Sequence, residues 1–150
     1  MVYLGVVRVL LLKDGGGIIS GKAGDAVEVP LVIAEYLIKH EMAALPSDQV
    51  VTSEALDGVI MNEGRLVNDL AALPKDFYAR AMLSMLVVGA RVRPIMEVQL
   101  NNLMALRKSK ITKLVLENPD LVKDAGFLGK LTEEEEYYVR ELAELIKHGS

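Results

Sequence analysis

The sequence predicts an α+β protein, mostly helical, in which a small β-rich N-terminal domain precedes a helical-bundle domain. Three observations predict it. Glycine-bearing turns and short β-branched or alternating runs lie almost entirely before residue 46. Helical periodicity fills nearly all of the chain after residue 51. Between them "PSDQVV", residues 46–51, gathers turn formers. The domains are therefore read as 1–45, small and β-rich, and 52–150, helical, with 46–51 as a linker.

The first strand is expected over about Tyr3 to Leu12. Its β-branched content suits a strand, and it reads as no signal peptide, because a basic leading region is missing and Arg8 interrupts the apolar run. Asp14-Gly15-Gly16-Gly17 forms a turn, since glycine tolerates positive φ. Ile18-Ile19-Ser20 reads as a short second strand and Ala26 to Val29 as a third. Pro30 suits a first helical turn, where a missing N–H costs nothing. Leu31, Ile33, Ala34, Leu37 and Ile38 give that helix its apolar face. Met42 to Leu45 adds a last short strand.

Thr52 or Ser53 caps the next helix, which carries Leu56, Val59 and Ile60 and ends at Gly64. Leu66, Val67, Leu70 and Leu73 suggest another short helix. Pro74 opens a third, running toward Val92, and Pro94 interrupts before a fourth that reaches about Asn118. A turn around Leu121-Val122 follows Pro119. The final helix starts at Thr132, where Thr132 and Glu135 form a capping box and Glu133 and Glu134 suit the positive end of the helix dipole. Tyr138, Val139, Leu142, Leu145 and Ile146 are its expected buried face.

Composition narrows the function. A formal net charge of −4 argues against a general duplex-DNA binder. The chain has no cysteine, so thiolate metal sites and disulfides are excluded. Its two histidines, His40 and His148, sit in helix-end contexts far apart, with no zinc spacing. The uncharged run Ala81 to Ala90 is shorter than the roughly 20 residues that span a bilayer. These features read as a soluble cytoplasmic protein.

From Gly16 the chain reads G-x-x-x-x-G-K-A, one residue away from a phosphate-binding loop. That loop needs a hydroxyl for magnesium and a helix directly after its lysine. Here Ala23 replaces the hydroxyl, and Gly24-Asp25 and a strand pattern follow. Two tight turns around a short strand account for it. The run Glu133 to Glu136 points in different directions around a helix, so it makes no converging carboxylate pair. No catalytic, cofactor-binding or metal-ligating residue is therefore assigned, and the chain is read as no enzyme.

Two features suggest contact with other molecules. Arg107, Lys108, Lys110 and Lys113 form a basic cluster on one helix and are candidate contacts to phosphate or an acidic partner. No aromatic residue interleaves them in sequence, so base stacking is not suggested. The two helices across Phe77–Val92 and Pro94–Asn118 carry apolar residues on nearly every side. A helix apolar all round must be covered all round. Phe77, Tyr78, Met82, Met85, Leu86, Ile95, Met96, Leu100 and Leu103 are thus candidate interface residues, and an obligate oligomer is expected.

Four stretches then resemble one family in order and spacing. They are "GDAVEVPLVIAEYLIKHEMAAL" (24–45), "LPKDFYARA" (73–81), "ALRKSKITKLVLEN" (105–118) and "LTEEEEYYVRELAELI" (131–146). Together they resemble an archaeal subunit of the GINS replication complex, of the type with the small B domain before the helical A domain. The resemblance implies a non-catalytic scaffold in a heterotetramer with other GINS subunits. It implies that the assembly binds the MCM helicase and a RecJ-like protein at the replication fork, near the nucleoid. Little or no direct duplex DNA binding is expected. The alternative is a stand-alone nucleic-acid-binding or regulatory module using Arg107, Lys110 and Lys113.

Overall fold

The computed structural model describes residues 5–15 and 19–149. It is a mostly helical α+β protein: a three-stranded antiparallel sheet at the N-terminal end, followed by a helical part. The sheet comprises β1 (Val6–Leu11), β2 (Ala26–Pro30) and β3 (Ala43–Ala44), in the order β2-β1-β3. Val7 pairs with Val29 and Val9 with Val27, while Leu11 pairs with Ala43. Alternation along β1 buries Val7, Val9 and Leu11 on one face.

Pro30 closes β2 and is the N-cap of α1 (Leu31–Lys39), one residue before the first helical turn in which the sequence placed it. Leu31, Ala34, Leu37 and Ile38 line the buried side of α1. Met42 N donates to Leu37 O, and Glu41 turns the chain toward β3 with φ of 58°. Gly24, at φ +92°, makes the turn into β2. The expected second strand does not form among the described residues: Ile19 is an isolated bridge position and Ser20 a bend, and Ile18 lies outside those residues. Gly16 and Gly17 of the expected turn also lie outside them.

The helical part contains α2 (Ser53–Arg65), α3 (Phe77–Val87), α4 (Arg93–Glu117), α5 (Ala125–Leu128) and α6 (Glu133–Gly149). Thr52 caps α2 by accepting from Ala55 N. The capping box of α6 is present: Thr132 N donates to Glu135 Oε1 and Glu135 N to Thr132 Oγ1. The short helix expected at Leu66–Leu73 does not form. That segment is irregular, although Leu70, Ala71 and Leu73 are buried. On α6, Val139 is buried and Tyr138, Leu142 and Ile146 are half-buried. Leu145 is 70% exposed and does not belong to that face.

Three apolar clusters hold these elements together, and α3 sits between two of them. Its Ala79 and Leu83 pack with the sheet and α1, beside Val7, Val9, Leu11, Ala34 and Leu37. Its Phe77, Tyr78, Ala81 and Met85 pack with Leu56 of α2 and Met96, Leu100 and Leu103 of α4. The third cluster joins Leu70, Ile111, Val115, Phe127, Leu131 and Val139. The segment 46–51 lies against this framework. Val51 is 2% exposed, and its N–H donates to Ser84 Oγ at 2.9 Å. Arg80 Nε donates to Gln49 O, and Arg8 pairs with Asp48.

No helix among the described residues is long and apolar enough to cross a membrane.

Candidate functional site

The buried residues of α4 are Met96, Leu100, Leu103, Arg107, Ile111 and Val115. Their spacing of three or four residues makes one face of the helix. Arg107 therefore occupies a core position, and it is fully buried. A buried guanidinium requires compensating charge and hydrogen bonds. Arg107 Nε and Nη2 donate to the two carboxylate oxygens of Glu135, each at 2.8 Å. Its Nη1 donates to Glu63 Oε1 at 2.6 Å and to Ala71 O at 2.7 Å, and Nη2 also reaches Lys130 O at 3.0 Å. Tyr78 Oη donates to Glu135 Oε2 at 2.6 Å. Lys110 Nζ donates to Glu63 Oε2 at 2.8 Å and to the carbonyls of Glu63, Leu66 and Asp69.

The cluster thus holds two cations and two carboxylates drawn from α2, α4 and α6, with Tyr78 of α3 against them. Its backbone partners explain why residues 66–73 stay irregular. Buried peptide groups outside regular structure need other partners. Here Leu66 O, Asp69 O and Ala71 O accept from Lys110 and Arg107, and Ala71 N donates to Glu63 Oε2. Burial alone would lower the Arg107 pKa. The hydrogen bonds and charge of Glu135, with help from Glu63, outweigh it and raise the value above the ordinary arginine range. Burial, then the Glu135 charge, raises the Tyr78 pKa far above the ordinary tyrosine value, so the phenol remains a donor.

This geometry corrects the reading of the basic cluster. Arg107 has no exposed surface and cannot reach phosphate or a partner. Lys110 is largely enclosed, with 14% of its side chain exposed and its ammonium held by Glu63. Lys108 and Lys113 are the exposed members. Sequence reasoning missed Glu63 and Glu135 as ionic partners and Tyr78 as a hydrogen-bond donor to Glu135. The available signal was the three-and-four spacing from Met96 to Val115, which places Arg107 in an apolar row.

It also corrects the premise behind the candidate interface. Phe77, Tyr78, Met85, Met96, Leu100 and Leu103 are buried in the chain's own core. Met82 and Leu86 are half-buried and pack against the cluster that includes the sheet. The N-terminal sheet and α1 supply the second cover for α3 that the sequence reading sought in another chain. Ile95 is 53% exposed, with Val92 at 37% and Val98 at 60%. Their i, i+3 spacing makes an open apolar row at the start of α4.

On the far half of α4, a shallow groove of about 500 Å³ is lined by Ala105, Lys108, Ser109, Thr112, Lys113, Leu116 and Tyr138. Thr112 Oγ1 and Tyr138 Oη are 2.6 Å apart. Lys108 Nζ lies 4.8 Å from the centre of the Tyr138 ring. Elsewhere, Lys22 N donates to Asp25 Oδ2 in a turn that leads to β2, so no helix starts after Lys22. His40 is exposed at the end of α1, with its ring 4.2 Å from that of Tyr36. The described residues contain no group of three or more His, Cys, Asp or Glu able to hold a metal ion.

Comparison with models of known protein families and with curated proteins finds no match to this chain.

Proposed function

We propose that the chain is a non-catalytic scaffold subunit of the GINS complex, of the small-domain-first type, supporting the replicative MCM helicase in DNA replication. The observation that carries the reading is the folded form of residues 24–45. A turn at Gly24, β2, the Pro30-started α1 and the short β3 follow one another ahead of a helical part. The resemblance to GINS small domains rests on that order of elements. The row Val92, Ile95 and Val98 offers apolar surface for assembly. The partners in this reading are other GINS subunits in a heterotetramer, the MCM ring and a RecJ-like protein.

The nucleic-acid reading loses support from the burial of Arg107 and the enclosure of Lys110, two of its three named contacts. Light scattering of the chain, alone and mixed with GINS subunits of the helical-domain-first type, tests the proposal. A stable complex with the mass of a heterotetramer is expected. A chain whose mass is unchanged by those partners would sink the scaffold reading.

A further inference from the structure

The groove on α4 combines three properties. Its lining places the apolar Ala105 and Leu116 at the two ends, with Ser109, Thr112 and the Tyr138 ring between, and Leu116 is 59% exposed. Two ammonium groups, Lys108 and Lys113, border it. Neither forms an ion pair among the described residues, whereas Lys39, Lys75, Lys110 and Lys130 are all paired with acids. From 105 to 116 the helix rises about 16 Å, the length of about three helical turns.

A nucleic acid is a poor fit. Lys108 lies over the Tyr138 ring and the phenol is held by Thr112, so this ring is already engaged within the chain rather than offered to a base. The net charge of −4 also disfavours a chain that tracks a phosphate backbone. Two lysines beside Ala105 and Leu116 instead complement a short segment that has carboxylates beside apolar side chains. A helix laid in a groove presents that combination at i, i+3 and i+7 spacing.

We propose that this groove docks a short acidic amphipathic segment of a partner protein, with apolar side chains on Ala105 and Leu116 and carboxylates on Lys108 and Lys113. The inference does not depend on the GINS reading, because it concerns the C-terminal half of α4 and makes no use of chain assembly through Ile95.

Fluorescence polarisation on the full chain tests it. The probe is a labelled synthetic peptide with Leu at i, i+3, i+7 and i+11, spanning about 16 Å as a helix, and Glu between. Saturable binding is expected, weakened several-fold by raised salt. Lys108→Glu and Lys113→Glu should each weaken it by about tenfold, and the Gln variants by less. Leu116→Asp should abolish it, while Lys39→Glu, on α1, should leave it unchanged. All the groove positions altered are exposed, and circular dichroism of each variant should match the parent. Peptide affinity indifferent to Lys108 and Lys113 would overturn the proposal. So would tighter binding of a labelled oligothymidylate that those same variants abolish. Self-association of the chain that they abolish, with no peptide bound, would place a second copy in the groove and overturn it too.

Discussion

Arg107 and Glu135 meet through two hydrogen bonds of 2.8 Å each, with both side chains sealed from water. The pair joins the middle of α4 to the first turn of α6. Glu135 also closes the capping box with Thr132, so one carboxylate both starts α6 and docks it. Truncating Arg107 leaves two buried carboxylates without this partner. Arg107→Met should cost about 3–5 kcal/mol in urea unfolding. A triple variant, Arg107→Met with Glu63→Leu and Glu135→Leu, should recover only part of that. Ala71 O, Lys130 O and Ala71 N would still lose their partners. Full recovery in the triple variant would mean that the network does not serve the backbone.

Tyr78 links stability to alkaline pH. Its folded pKa is raised above the ordinary 10.0. Below the unfolded value its contribution is fully present. Above it the unfolded chain ionises while folded Tyr78 stays protonated, so stability falls as pH rises toward the folded value. Tyr78→Phe should lower stability at neutral pH by about 1.5–3 kcal/mol, the range for a hydrogen bond to a charged group. It should also flatten the decline above pH 10. An alkaline limb identical in both proteins would refute the linkage.

Adjacent positions on α4 separate surface from core. Met96 is fully buried and Ile95 is 53% exposed. Met96→Glu should abolish cooperative folding, because it buries an unpaired charge. Ile95→Glu should change stability by no more than about 0.5 kcal/mol. In mixtures with GINS subunits the same Ile95→Glu variant should lose the complex while circular dichroism stays unchanged. Retention of the complex would remove the Val92–Ile95–Val98 row from the assembly face.

The sheet should act as a cover for α3. A fragment of residues 52–150 would uncover Leu83 and Ala79 and leave Met82 and Leu86 more exposed. It should unfold at lower urea concentration than the full chain and self-associate, as expected for a newly exposed apolar face. Ser84→Ala in the full chain should cost about 1–3 kcal/mol, since Val51 N would lose its buried acceptor. A fragment as stable and as monomeric as the full chain would show that α3 does not need this cover.

Local signals determined much of the architecture. Pro30 before an apolar helical face, Thr52 ahead of α2 and the Thr132–Glu135 box act within one turn of the chain, and each element starts within one residue of where they place it. Which side of β1 faces inward was not legible, because VVRVLL is apolar at every position but Arg8; the fold buries Val7, Val9 and Leu11. The sequence also marked α3 as needing cover on every side. Only the tertiary structure decided what supplies it: β1 and α1 on one side, α2 and α4 on the other. It alone set the role of Arg107, which shares a charged stretch with Lys108 and Lys113 but lies on the buried row of the helix. It also decided against a helix at residues 66–73. Helical periodicity there is genuine, but distant cations and a carboxylate on α2 and α4 satisfy its peptide groups in an irregular path. Periodicity and capping are properties of neighbouring residues. Whether a charge is buried depends on partners 28 and 44 residues away in sequence, and only the folded chain brings those together.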